Sequence, residues 1–310
     1  MNSSAIPKQR PPDLSGVYPP IPTPFDANGT VAYDALRENI ERWNRYDLSG
    51  YVVLGSNGEA ALLSAEEKVH LLEVARGAIP RDKLLVAGTG CESTRETISL
   101  TCRAAEVGAD VALVITPQFY DGKMTPQALV SHYDAVADAS PLPVLLYNVP
   151  KFTHVDMAAS TVARAARHPN VVGIKDSSGN IAKLADIVRL TGAAEKGADF
   201  QVLAGSAGFL FPALCVGAVG GVVALANVVP QQCIDIWRWF KAGWWNQAAD
   251  LQRDMVPVNT AITAGYGVAG LKAALDMLGY YGGPVRAPLL DLDEEEREAL
   301  RQILVDGRLF

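Results

Sequence analysis

The strongest constraint on the fold is a rhythm: between Gly16 and Val228, eight short apolar runs alternate with longer amphipathic stretches. The runs are VYPPIPT (17–23), GYVVLGS (50–56), LLVAGTG (84–90), DVALVITP (110–117), PVLLYNVP (143–150), VVGIKDS (171–177), QVLAGS (201–206) and GGVVALANV (220–228). Each is rich in Val, Ile, Leu or Ala on both of its faces. A parallel strand covered by helices on one side and packed into a closed interior on the other reads this way. The intervening stretches carry helix start and stop signals. Ser64-Ala65-Glu66-Glu67 and Ser93-Thr94-Arg95-Glu96 fit the capping box, in which Ser and Glu satisfy orphan N–H groups reciprocally. Gly108 and Gly217 stand where a helix exit favours a left-handed residue. Eight successive β/α units predict an α/β fold, a (β/α)8 TIM barrel, over an open doubly wound sheet. The dinucleotide-binding alternative lacks its GxGxxG turn after the first strand.

After Val228 the strand pattern stops. Helical patterns follow over 231–243, 245–263, 268–283 and 295–307, so the chain divides into a tail (1–15), a barrel (16–228) and a C-terminal helical extension (229–310). Trp237, Trp239, Trp244 and Trp245 cluster in that extension, where buried helix contacts are the expected role for tryptophan. Asp293 to Glu296 reads as a solvated helix N-terminus, where acids favour the macrodipole.

Composition removes several classes of function. With 310 residues, 49% hydrophobic and 20% charged, the chain suits a soluble globular enzyme built round one barrel core. No run approaches the roughly 18 apolar residues needed to span a membrane. A net charge of −7 argues against a nucleic-acid partner, which demands concentrated Lys and Arg. The four cysteines (Cys91, Cys102, Cys215, Cys233) show no CxxC spacing and read as reduced thiols of a cytoplasmic protein. The four histidines (His70, His132, His154, His168) form no HxH or HExxH pair, so no zinc or iron site is expected, and a lysine amine that supplies covalent activation would need no organic cofactor. The first fifteen residues, polar and proline-rich, read as a flexible tail; the lack of an acid before Asp13 leaves a mitochondrial transit peptide as the alternative.

Barrel enzymes carry their chemistry at the C-terminal ends of the strands. There the sequence places Ser56-Asn57-Gly58-Glu59, Gln118-Phe119-Tyr120, Tyr147-Asn148, Lys175-Asp176-Ser177-Ser178, Gly205-Ser206 and Asn227. Lys175 follows Val-Val-Gly-Ile, which carries its amine into an apolar interior, where burial favours the neutral, nucleophilic form. Tyr147, one strand away, is placed to move a proton if a hydroxyl relay assists it, and Ser56 is the candidate relay. The Gly-Ser-Asn-Gly turn offers backbone N–H groups to a carboxylate. Taken singly, each has a plainer reading: a salt-bridged lysine, a core tyrosine, a glycine turn. Their joint placement at one barrel mouth favours catalysis.

Those residues, in that order, resemble the dihydrodipicolinate synthase / N-acetylneuraminate lyase family from Gly16 to about Leu290, the specific strings being GSNGE, TPQFY, LLYNVP and GIKDSSG. The resemblance implies a lysine Schiff base with pyruvate or a pyruvate-yielding substrate, and a homotetramer built as a dimer of dimers. Residue by residue, Lys175 resembles the imine-forming lysine and Tyr147 the proton-shuttling tyrosine. Ser56 and Asn57 match the pair that holds the substrate carboxylate, and Ser177 and Gly205 match further substrate contacts. Tyr120, or Phe119 in its place, looks like the aromatic residue that reaches into a neighbouring subunit's site.

Within the family, VLGSNGE, LLVAGTGCEST, QVLAGSAGFL, VGAVGGVVALANV and GYYGGPVRAPL look most like 4-hydroxy-2-oxoglutarate aldolase. Synthases of the family resemble YNVPxR, and here the arginine position is Phe152, while Thr153-His154 replaces the following Thr-Gly. Losing a guanidinium removes a bidentate carboxylate clamp. The expected activity is therefore cleavage of a 4-hydroxy-2-oxo acid, chiefly 4-hydroxy-2-oxoglutarate, to pyruvate and an aldehyde such as glyoxylate. The rivals are a 2-keto-3-deoxy sugar-acid aldolase, a condensing synthase, and a non-catalytic oxo-acid-binding protein.

Overall fold

Each of the eight apolar runs becomes a parallel strand, shorter than the run because the chain leaves the sheet to build the turns at the mouth. In a computed structural model describing residues 11–193 and 199–309, the strands are β1 (Gly16–Tyr18), β2 (Gly50–Val53), β3 (Leu84–Gly88), β4 (Val111–Ile115), β5 (Val144–Asn148), β6 (Val171–Asp176), β7 (Gln201–Ala204) and β8 (Gly220–Val222). From β2 to β8 each strand pairs with the next in sequence, and β1 pairs with β8. A parallel bridge between Pro20 and Val52 closes the circle between β1 and β2; the Ile21 N–H donates to the Val52 carbonyl, and the Val52 N–H to that of Pro19, both at 3.0 Å.

Around the barrel run α1 (Tyr33–Trp43), α2 (Ala65–Ala78), α3 (Thr94–Val107), α4 (Pro126–Ala139), α5 (Pro150–Thr153), α6 (Ala159–Ala165), α7 (Ile181–Thr191) and α8 (Leu210–Cys215). Ser64 caps α2 with the full reciprocal box, whereas Ser93 on α3 supplies only its own half, accepting from the Glu96 N–H. Gly108 and Gly217 adopt the left-handed φ of helix exits, at 93° and 105°.

Strand residues alternate between two cores. Val52, Val86, Val111, Leu113, Leu145 and Tyr147 pack inside the barrel, while Tyr51, Val53, Leu85, Ala87, Ala112, Val114, Val144 and Leu146 face the helices. Strand β6 breaks this alternation once. Its pairing with β5 steps from Val144↔Val171 directly to Leu145↔Gly173, leaving Val172 as an extra residue. Val172 lies in the inner core, yet Ile174 lies in the outer one. The inserted residue reverses the parity of everything after it, a known effect of a β-bulge. Lys175 consequently points inward, level with Tyr147. Gly173 permits the arrangement, since a Cβ there would stand 2.2 Å from the Gln201 carbonyl oxygen.

Residues 1–10 of the expected tail lie outside the described residues, but its last few positions belong to the barrel. Leu14 is fully buried in the inner core. Its N–H donates to Gln201 Oε1, and Gln201 Nε2 donates to the Pro12 carbonyl, both at 2.8 Å. Burying one leucine contributes roughly 1.5–3 kcal/mol, which is what ties down this segment against its chain entropy.

The C-terminal extension comprises α9 (Pro230–Lys241), α10 (Trp245–Thr260), α11 (Gly267–Met277) and α12 (Glu294–Asp306). Instead of running on to 263, α10 gives way at Ala261 to a five-residue π turn ending at Gly265. Gln252 of α10 accepts from the Phe211 N–H at 2.9 Å and donates to the Ala207 carbonyl at 2.7 Å, fastening the extension to the loop after β7. Asp293 and Glu296 form a reciprocal capping box on α12. Trp237 packs against the outer core and donates to the Val219 carbonyl at 2.9 Å. Trp244 and Trp245, expected to be buried, are exposed instead, at the turn from α9 into α10. Among the described residues no helix is long and apolar enough to cross a membrane.

Candidate active site

Lys175 and Tyr147 are register partners at the ends of β6 and β5, and both point into the barrel. The lysine is 3% exposed, and its Nζ lies 3.9 Å from the centroid of the Tyr147 ring. The tyrosine hydroxyl reaches across to Ser56 Oγ at 3.1 Å, either oxygen being able to donate. Ser56 begins a short 3-10 turn, Ser56–Gly58, that follows β2 at the same barrel end. An amine, a phenol and an alcohol are thus assembled from three strands at one mouth.

The residues that follow the pair in sequence clamp it from behind. Because strand side chains alternate, Asn148 and Asp176 point outward where Tyr147 and Lys175 point inward. Asp176 is fully buried, and its Oδ2 accepts from Asn148 Nδ2 at 2.8 Å and pairs with Lys183 Nζ at 2.9 Å. Its Oδ1 accepts from the N–H and hydroxyl of Ser178, at 2.9 and 2.5 Å. Asn148 also donates to Asp156 Oδ1 at 2.8 Å and accepts from the Met157 N–H at 3.0 Å. A buried carboxylate is tolerated only when paired and hydrogen-bonded in this way. The network joins β5, β6 and the start of α7, fixing the strand ends from which the amine and phenol project. The sequence places Asn148 and Asp176 at the barrel mouth but carries no local signal of that clamp.

Ser177 Oγ donates to the Gly205 carbonyl at 3.3 Å, so these two expected contact residues adjoin each other at the ends of β6 and β7. Asn57 stands next to Ser56, partly exposed on the turn. Tyr120 is not brought into the cluster within a single chain. It is 68% exposed on the loop after β4, packed edge-on against Phe119, itself 76% exposed, with ring centroids 5.0 Å apart. Phe152 lies on α5 with 51% exposure. Its neighbour Lys151 donates to the Thr263 carbonyl at 3.3 Å, tethering the loop after β5 to the C-terminal extension. His154 ends α5 in a left-handed conformation, with φ of 54°. Asn227 is structural: buried, it donates to the carbonyls of Pro20 and Ala224 at 3.1 and 2.9 Å.

This arrangement has close parallels. The family model for the dihydrodipicolinate synthetase family matches residues 13–306. A 4-hydroxy-tetrahydrodipicolinate synthase of Methanothrix thermoacetophila is 38% identical over 289 residues, covering 93% of this chain and 95% of that protein. One from Syntrophus aciditrophicus is 36% identical over 291 residues, covering 94% and 97%. Among solved structures, the chloride-inhibited dihydrodipicolinate synthase from Acinetobacter baumannii complexed with pyruvate superposes with a TM-score of 0.90 at 31% identity, covering 96% of this chain and all of that one. Shared fold, near-complete coverage and a family match along almost the whole length lead to one conclusion: this chain belongs to the dihydrodipicolinate synthetase family.

Proposed function

We propose that this protein is a Schiff-base aldolase that cleaves a 4-hydroxy-2-oxo acid, with 4-hydroxy-2-oxoglutarate as the principal substrate, to pyruvate and an aldehyde. The observation that carries this reading is the inward-facing trio of Lys175, Tyr147 and Ser56. The substrate's C1 carboxylate rests on the Ser56–Asn57 turn, beside Ser177 and Gly205. The Lys175 amine adds to the C2 ketone, water leaves, and a protonated imine forms. Tyr147, relayed through Ser56, takes the proton from the C4 hydroxyl. The C3–C4 bond breaks, its electron pair moves into the imine to give an enamine, and the aldehyde departs. Protonation at C3 and hydrolysis then release pyruvate and restore the amine. The protein's own amine supplies the covalent activation, so this chemistry needs no metal or organic cofactor.

Phe152 supports cleavage over condensation, since it presents a phenyl ring where a carboxylate-clamping guanidinium would serve a synthase. The exposed Phe119–Tyr120 pair supports a homotetramer in which one of these rings completes a neighbouring subunit's site. A condensing synthase is the second reading, favoured by the names of the relatives above. Borohydride reduction in the presence of pyruvate, read by peptide mass spectrometry, tests the shared step. An unmodified Lys175, or full activity in Lys175→Ala, would refute it. A panel of 4-hydroxy-2-oxo acids against aspartate semialdehyde plus pyruvate then separates the two readings. Pyruvate release from the oxo acids without condensation is the expected outcome.

A further inference from the structure

The turn assigned to the substrate carboxylate is held in an uncommon backbone. It is bracketed by two non-glycine residues in the left-handed region, Leu54 (φ 64°) before it and Glu59 (φ 52°) after it. Such residues persist only where their surroundings over-determine them. Leu54 is packed in the outer core. Glu59 is held by charge. Its side chain and that of Lys272 are each 1% exposed, with Nζ to Oε1 at 2.5 Å. The other oxygen, Oε2, accepts from the Arg286 N–H at 2.8 Å.

Lys272, on α11, is itself fixed. It donates to the Pro284 carbonyl at 2.7 Å, and its Nζ lies 4.3 Å from the centroid of the Phe25 ring. Burial pushes the lysine's pKa down, and the Glu59 carboxylate opposes that shift. The Arg286 guanidinium lies over the same Phe25 ring, also at 4.3 Å, and grips Glu67 at 2.8 and 2.7 Å and the Leu62 carbonyl at 3.0 Å. Thr23 Oγ1 donates to the Gly58 carbonyl at 2.6 Å. The C-terminal extension therefore reaches under the mouth of the barrel to the far end of the Ser56–Gly58 turn.

From this geometry we infer that Glu59 and Lys272 are positioning residues, the buried ion pair holding the Ser56–Asn57 N–H groups and the Ser56 hydroxyl in register with Lys175 and Tyr147. The inference rests on the proposed carboxylate role of that turn. A buried pair of charges is a poor source of net stability compared with a well-packed neutral pair. Its role under this inference is the conformation it imposes on the turn.

The test compares full-length wild type, Glu59→Gln, and the paired Glu59→Gln/Lys272→Met variant, the latter leaving no unpaired buried charge. Borohydride trapping on Lys175 is titrated with pyruvate and, separately, with acetone, a ketone with no carboxylate. Both variants are expected to raise half-saturating pyruvate by about tenfold, the scale of one charge-assisted contact, with limiting trapping unchanged. Half-saturating acetone should not move. A general structural defect would shift both ketones together, and that result overturns the inference. So does a folded variant with wild-type pyruvate half-saturation, whatever its thermal midpoint. If wild type itself traps no pyruvate, the proposed function fails first and takes this inference with it.

Discussion

Tyr147→Phe separates what the tyrosine does for the fold from what it does for the reaction. The substitution keeps the ring, which is buried in the inner core and lies 3.9 Å from Lys175 Nζ. It removes one atom, the hydroxyl 3.1 Å from Ser56 Oγ. As a structural hydrogen bond, that contact is worth roughly 0.5–1.5 kcal/mol. As the proton carrier of the carbon–carbon cleavage, it is worth about 10²–10⁴-fold in rate. That corresponds to roughly 3–5 kcal/mol of barrier. The two roles thus differ enough to be told apart. Pyruvate release from 4-hydroxy-2-oxoglutarate, coupled to NADH oxidation by lactate dehydrogenase, gives the turnover. Borohydride trapping with pyruvate gives the imine step, and urea denaturation gives stability. The expected pattern is a turnover loss within that range, retained trapping and a small change in denaturation midpoint. Ser56→Ala should reproduce much of the loss, and the double variant should fall little further, because both residues serve one relay. Turnover within about threefold of wild type would refute the proton-transfer role, as the acid–base contribution is at least about a hundredfold. Singles that multiply in the double variant would refute the relay.

Two more outcomes follow from the fold. Gly173→Ala forces a Cβ against the Gln201 carbonyl at the bulge that aims Lys175, so it should cost about 1–3 kcal/mol and lower trapping in parallel. A variant with wild-type thermal midpoint and trapping would show that the bulge does not need glycine. His132, buried on α4 with Nδ1 2.9 Å from Thr94 Oγ1, has its pKa lowered to about 4 by desolvation. Since the folded value is depressed, its contribution is intact above the unfolded value near 6.5 and is lost as pH falls towards 4, by about 3 kcal/mol at most. His132→Gln should flatten the urea midpoint across that window, and an unchanged slope would refute the assignment.

The sequence by itself determined the barrel. Period, helix caps and apolar runs are local signals, and a closed parallel sheet is the arrangement that buries eight two-faced strands at once. Position at strand ends likewise nominated Lys175, Tyr147 and Ser56, because a polar group closing an apolar strand has few places to go. Glu59 was legible only as the last letter of GSNGE. Its partner Lys272 lies more than two hundred residues away, and nothing local links them. The burial of Leu14, within the tail expected over residues 1–15, was hidden for a related reason, since it is held by a barrel interior that polar, proline-rich composition does not reveal. Tertiary structure also decided which way the nucleophile points. In VVGIKDS every residue before the lysine is apolar or glycine, so no alternation reveals the parity of the strand. Pairing with β5 leaves Val172 as an extra residue and turns Lys175 inward, level with Tyr147 of β5 and Leu203 of β7. A side chain's face is fixed by register between strands, which no single strand's sequence contains.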